Sequence, residues 1–254
     1  MSEPVVISKI EDSVAWLTLN RPDKRNALND EVIAALDVAL RRAESSEAVR
    51  VVVISGSGHD FCSGADLAAL QKISQATVVE NQEDARSLME LFQLIRRLRV
   101  PVIAAVRGRA LAGGCGLATA CDIVLASDSA RFGYPEVKIG FVPAIVTTIL
   151  RRNISEKRAF ELVVRGDEIQ AETAERIGLI NRVFRDDVFE EEIKNYVRSF
   201  ARVSKSAATL TKQLLYQIDG MAFDEALQTG ADVNLIARLT EDCQQGIASF
   251  FNQE

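Results

Sequence analysis

The sequence contains a single histidine, His59, in 254 residues. That scarcity excludes multi-histidine metal sites, and any serine–histidine or cysteine–histidine pair would have to run through this one ring. Acid–base chemistry falls instead to Asp, Glu, Tyr or Lys. Basic charge is not in surplus: 30 Lys and Arg against 36 Asp and Glu leave a net charge of −6. This argues against nucleic-acid partners, although a local basic patch can still hold a small anion. Long apolar runs are missing too. The longest charge-free stretches, Ala110–Cys121 and Ile139–Leu150, are twelve residues each, too short to span a bilayer. The first ten residues carry an acid and a proline but no apolar signal core. The four cysteines, Cys62, Cys115, Cys121 and Cys243, form no Cys-x-x-Cys pair and read as buried free thiols. These absences point to a cytoplasmic protein with no metal and no membrane partner.

What is present is an ordinary globular composition, 48% hydrophobic and 26% charged. At about 150 residues per domain, that is one large domain or a domain with an appendage. The first half alternates short β runs with helical spacing. Val5–Ile10 and Val14–Leu19 are strands around a turn at Glu11-Asp12-Ser13. Asn29 is an N-cap for a helix carrying Val32, Ile33, Leu36, Leu40 and Ala43. Val51–Ile54, Pro101–Val106 and Cys121–Ala126 are buried strands. Thr77 and Glu80 form a capping box ahead of the stripe Leu88, Leu91, Phe92, Ile95 and Leu98. Strand, loop, helix, strand at such intervals predicts an α/β fold with parallel strands. After a short strand near Asn181–Phe184, the chain is helical at Glu190–Arg202, Ala207–Gln217 and Phe223–Phe250. The division falls into a core over residues 1–195 and a helical region over 196–254.

Three segments could carry chemistry. Phe61–Leu67 and Gly108–Ala118 each follow a strand and open a helix. Amides in the first turn of a helix lack intrahelical acceptors and carry the positive end of the helix dipole. Two such turns facing each other would suit a developing oxyanion, and the small Ala65 and Gly113 would let a ligand carbonyl approach the main chain. By composition alone such turns serve close packing more often than catalysis. The third segment is Phe132–Val137, where Glu136 follows a proline among apolar neighbours. Desolvation there would raise its pKa and suit it to proton transfer, although a surface turn glutamate looks the same in sequence.

The loop Asn20-Arg21-Pro22 with Arg25-Asn26-Ala27-Leu28, the Phe61–Leu67 segment, Gly113-Gly114 with Ala120-Cys121-Asp122, and Pro135-Glu136 with Gly140 together resemble the crotonase, or enoyl-CoA hydratase/isomerase, superfamily. The resemblance runs over essentially the full length. It implies a crotonase-type spiral of ββα turns, with C-terminal helices that trimerise, and trimers that pair into hexamers. It implies an acyl-CoA thioester substrate, with coenzyme A entering as part of the substrate and no separate cofactor. The thioester oxygen would be held by the amides of Ala65 and Gly113, and Glu136 would transfer the proton. Arg25, Ala27, Ser63, Asp66, Leu67 and Gly114 would contact the substrate, and Phe250 is either core or a neighbouring subunit's contribution to the coenzyme A site.

One departure stands out. Where the hydratases of this family carry a second glutamate, three residues after the oxyanion glycine, this chain has Gly116. The resemblance implies that the segments carrying Asp66, Glu80, Glu83 and Asp84 flank the pocket, so these acids could substitute, although each could equally be a capping or solvated acid; His59 precedes the first oxyanion turn. The resemblance implies first a hydratase of short or branched 2-enoyl-CoA thioesters. The alternatives are a single-glutamate isomerase taking 3-enoyl- to 2-enoyl-CoA, and a non-catalytic acyl-CoA-binding homologue.

Overall fold

Alternating side chains along the strands decide the layers. The computed structural model describes residues 3–66, 71–72 and 74–251. In it, β1 (Val6–Glu11) and β2 (Val14–Leu19) form an antiparallel hairpin. Asp12 and Ser13 turn it with φ of 50° and 64°, the doubly left-handed turn that matches strand twist. β2 pairs in parallel with β3 (Val51–Gly56), and β3 with β4 (Val102–Val106). A second, three-stranded sheet contains β5 (Arg109–Leu111), β7 (Arg131–Gly133) and β8 (Ile169–Gln170). The larger sheet continues through β6 (Ile123–Ser127) to β9 (Arg182–Phe184), in the order β1-β2-β3-β4-β6-β9.

Val52 and Ile54 face one core together with Val102, Ala104 and Val106, while Val51, Val53, Ile103 and Ala105 face another. Such strands are apolar throughout because both faces are covered. The first face is covered by α1 (Asp30–Ser45), α2 (Val78–Arg97) and α3 (Gly113–Ala120). After α4 (Ala144–Asn153), α5 (Glu156–Arg165) and α6 (Ala171–Arg176), α7 (Phe189–Arg198) covers the second face with Phe189, Ile193 and Val197. The units β4-β5-α3 and β6-β7-α4 repeat one plan: a strand in each sheet, then a helix.

The expected caps form. Asn29 accepts from Val32 N at 2.9 Å, and Thr77 and Glu80 make both bonds of the capping box. Three expectations change. Cys121 belongs to the end of α3, with its Sγ on the Leu117 carbonyl at 3.3 Å. Glu190–Arg202 divides into α7 and a 3-10 turn, Ser199–Arg202. The long stretch Phe223–Phe250 breaks at Thr240, whose hydroxyl accepts from Cys243 N. It becomes α9 (Phe223–Arg238) and α10 (Glu241–Phe251), which follow α8 (Lys205–Gln217).

Packing runs across the 195/196 division. Tyr196 and Phe200 lie against the second core, and Lys212 of α8 reaches Asp122 at 2.7 Å. Beyond α8 the apolar side chains are uncovered: Phe223, Leu227, Leu235, Ile236, Leu239 and Phe250 are all exposed. Phe250 is therefore not core within this chain; it touches Phe251 edge-on, with ring centroids 5.9 Å apart. Among the described residues, no helix is long and apolar enough to cross a membrane.

Candidate active site

Two turns meet where α3 begins. Cys62 and Ala110 form one isolated bridge, and Leu28 and Ala65 form another. The second bridge uses the Gly64 carbonyl, which accepts from Leu28 N at 2.7 Å, and Asp66 N, which donates to the Leu28 carbonyl at 3.1 Å. The Ala65 amide between them has no acceptor among the described residues. Gly64 packs directly on the other turn. A Cβ there would lie 2.8 Å from Ala112 Cβ and 3.6 Å from Gly113 N, so only glycine, at φ 96°, closes this contact.

Ala112 fixes the second amide. Its φ of 49° and ψ of −126° are costly for a residue with a Cβ. Its N–H donates to Gly133 O at 2.8 Å, and its carbonyl accepts from Gly116 N at 2.9 Å. In a trans peptide the carbonyl and the following N–H point oppositely. With the Ala112 carbonyl turned into the helix, the Gly113 N–H points out of its N-terminus, where no intrahelical acceptor exists.

Both turns open into a cavity of about 480 Å³. Ser63, Ala65, Ala112, Gly113 and Glu136 line it, with an apolar wall that includes Leu28, Ile33, Leu88, Phe141, Val142 and Val146. Glu136 comes in on the 3-10 turn Pro135–Ile139, which Gly140 closes at φ 76°. Burial raises its pKa, partly offset by its own backbone N–H. Its Oε2 is buried with no hydrogen-bond partner. An ionised oxygen without donors is expensive, so this carboxyl is poised to hold or take up a proton.

The other expected substrate contacts divide. Arg25 is exposed, with φ 50°, and its carbonyl accepts from Ser63 N at 3.0 Å. Ala27 is buried, and its carbonyl accepts from Arg21 Nη1 at 2.8 Å. Asp66 pairs with Arg21 at 2.7 Å, which ties the two loops together. Gly114 does not line the cavity: a Cβ there would stand 2.3 Å from Cys62 O, so its role is close packing of α3 on the preceding turn. Leu67 lies outside the described residues. His59 is 86% exposed and bonded to Asp60, away from the cavity lining.

Gly116 is closed off by apolar side chains. A Cβ there would meet Val146 Cγ1 at 2.3 Å and Phe92 Cζ at 3.1 Å. The space a longer side chain would need is filled. Of the acids considered as substitutes, only Asp84 lines the cavity; Glu80 caps α2, Asp66 holds Arg21 and Glu83 is exposed. Arg21 appears in the sequence only as part of the Asn20-Arg21-Pro22 motif; its lacing role rests on an ion pair 45 residues apart, which leaves no local pattern.

Comparison with known proteins supports this architecture. The family profile of enoyl-CoA hydratase/isomerase matches residues 9–254. A Thermus thermophilus protein provisionally named an enoyl-CoA hydratase is 40% identical over 94% of this chain and 95% of its own. The 2,3-dehydroadipyl-CoA hydratase of Escherichia coli is 34% identical over 100% and 97%. A crystal structure of an enoyl-CoA hydratase from Mycobacterium smegmatis superposes with a TM-score of 0.94 at 30% identity, covering 99% of this chain and 98% of the other. With its ββα spiral and C-terminal helices, the chain belongs to the enoyl-CoA hydratase/isomerase family, the crotonase superfamily, and is an enzyme of that kind.

Proposed function

We propose that the enzyme moves a double bond in an acyl-CoA thioester, taking a 3-enoyl to a 2-enoyl chain by a proton shuttle through Glu136. The observation that carries this is the Glu136 carboxyl, with its unpartnered oxygen, in a cavity whose Gly116 side is filled by Val146 and Phe92. Isomerisation needs one base. Glu136 removes a proton from the carbon next to the thioester carbonyl, the Ala65 and Gly113 amides stabilise the enolate oxygen, and the same carboxyl returns the proton two carbons further on. In this reading Arg25, Ala27 and Ser63 border the path of coenzyme A, which enters only as part of the substrate. Residues 196–254 act as the oligomerisation region of a trimer or hexamer, in which the uncovered side chains of α9 and α10 are buried. Light scattering checks the assembly: a fully active monomer near 28 kDa overturns it.

Hydration of a 2-enoyl-CoA is the second reading, favoured by relatives whose names are those of hydratases. One experiment separates the two. The enzyme is given 3-hexenoyl-CoA and crotonyl-CoA in deuterated water, and conjugation, loss of enoyl absorbance and deuterium uptake are followed. Conjugation at a rate far above hydration supports the isomerase. Dominant hydration reverses the order of the two readings, and binding without either reaction leaves an acyl-CoA-binding homologue.

A further inference from the structure

One charged group in the cavity has no part in the proton shuttle. Asp84 lines the cavity from α2, on the helical row Asp84, Leu88 and Phe92. That row faces α3: a Cβ on Gly113 would lie 4.0 Å from Leu88 Cδ2, and one on Gly116 3.1 Å from Phe92 Cζ. Asp84 therefore stands one helical turn, about 5–6 Å, beyond the point where Leu88 approaches the carbonyl-binding amide. A chain that runs from a thioester carbonyl at Gly113 toward the N-terminus of α2 passes Leu88 before it reaches Asp84.

Among the described residues, no cation is paired with Asp84 directly. Burial and the nearby Asp30 raise its pKa, Lys72 lowers it, and no hydrogen bond contributes. Lys72 is bonded to Asp30 at 2.8 Å. Lys138, the cation in the cavity lining, is bonded to Asp167 at 3.5 Å. The other carboxyl in the lining is Glu136. A half-buried acceptor in a cavity that Ile33, Leu88 and Ile145 also line gains from a donor and loses from a second anion.

We propose that Asp84 sets acyl-chain selectivity: it favours chains with a neutral hydrogen-bond donor, such as a hydroxyl, several carbons beyond the thioester, and turns away chains that end in a carboxylate. This rests on the acyl-thioester reading above, but not on which reaction follows.

The test uses saturated thioesters that cannot react, so that binding is read apart from chemistry. Hexanoyl-CoA, 6-hydroxyhexanoyl-CoA and adipoyl-CoA are titrated calorimetrically into wild type and Asp84→Asn. In wild type the hydroxylated chain binds more tightly than the plain one, and the dicarboxylic chain at least about tenfold more weakly. In Asp84→Asn the penalty on adipoyl-CoA disappears and the hydroxyl preference narrows. Equal affinities for all three in wild type, or unchanged ratios in the variant, overturn the selectivity alone. If none of the three binds, the thioester reading fails and this inference goes with it.

Discussion

Asp122 and Glu136 are two carboxylates of one chain, fourteen positions apart in sequence, and they are treated in opposite ways. Asp122, at the back of α3, accepts from Val102 N at 2.6 Å and Tyr216 OH at 2.7 Å, and pairs with Lys212 Nζ at 2.7 Å. Lys212 in turn donates to the carbonyls of Ile95 and Val100. Glu136 faces the cavity with one oxygen bonded to nothing. A carboxylate that ties elements together is surrounded by donors. One proposed to handle protons is left short of them, and that keeps its two protonation states close in energy. The back of the molecule spends its polar groups on each other, and the cavity withholds them.

The largest effect expected from this contrast is on turnover. Glu136→Gln keeps size and removes proton exchange, and activity should fall by about 10²–10⁴-fold while thioester binding persists. Deuterium uptake next to the carbonyl should be lost in parallel. Normal exchange in the folded variant would show that the unpartnered oxygen is not the base. Lys212→Met attacks the other side of the comparison: removing one partner of a buried pair costs roughly 3–5 kcal/mol. Urea unfolding should show it, toward the low end because Asp122 retains two donors, with turnover per folded molecule unchanged. A loss of turnover without loss of stability would make the clamp part of the site.

A smaller change would put a carboxylate at position 116. Gly116→Glu alone must displace Val146 and Phe92, and overpacking of this kind costs about 1–3 kcal/mol. With Val146→Ala added, room opens, and the hydration-to-isomerisation ratio should rise by up to about 10²-fold. An unchanged ratio in the folded double variant would mean that position 116 does not face the reacting carbons. The smallest effect is on stability against pH. Burial raises the pKa of Glu136 in the folded state, so its penalty is absent below the ordinary carboxylate range. The penalty grows as pH rises through that range and levels off above the raised value. Glu136→Gln should therefore gain melting temperature relative to wild type from acid toward neutral pH. A constant gap would mean that the carboxyl is not desolvated.

Much of the frame was legible because it rests on local rules. Asn29 and Thr77 announce their caps, Val51–Ile54 announces a strand covered on both faces, and glycines mark the turns that need them. β5, β7 and β8 were not legible, since two or three residues are too few to show alternation. The break at Thr240 hid for the opposite reason: apolar spacing continues across it. In the site, the resemblance picked out Ala65, Gly113 and Glu136, all of which line the cavity. Sequence cannot tell whether a glycine such as Gly114 makes room for a ligand or for close packing on Cys62. Nor could it show that Val146, thirty positions away, fills the space beside Gly116, or that Asp84 rather than Glu83 turns inward. Those facts depend on helix phase and on contacts distant in sequence.

The unsatisfied amide of Gly113 has a consequence in time as well as in energy. Its neighbours in β5 and β7, and those in α3 from Gly116 onward, are held by bonded ladders and should exchange their amide hydrogens slowly, whereas Gly113 has no helical bond to break before exchange. It is a fast site in a slow neighbourhood. A carbonyl seated on it would supply the missing acceptor, so the exchange rate of this one hydrogen becomes a clock for occupancy, readable without turnover and without a label on the ligand.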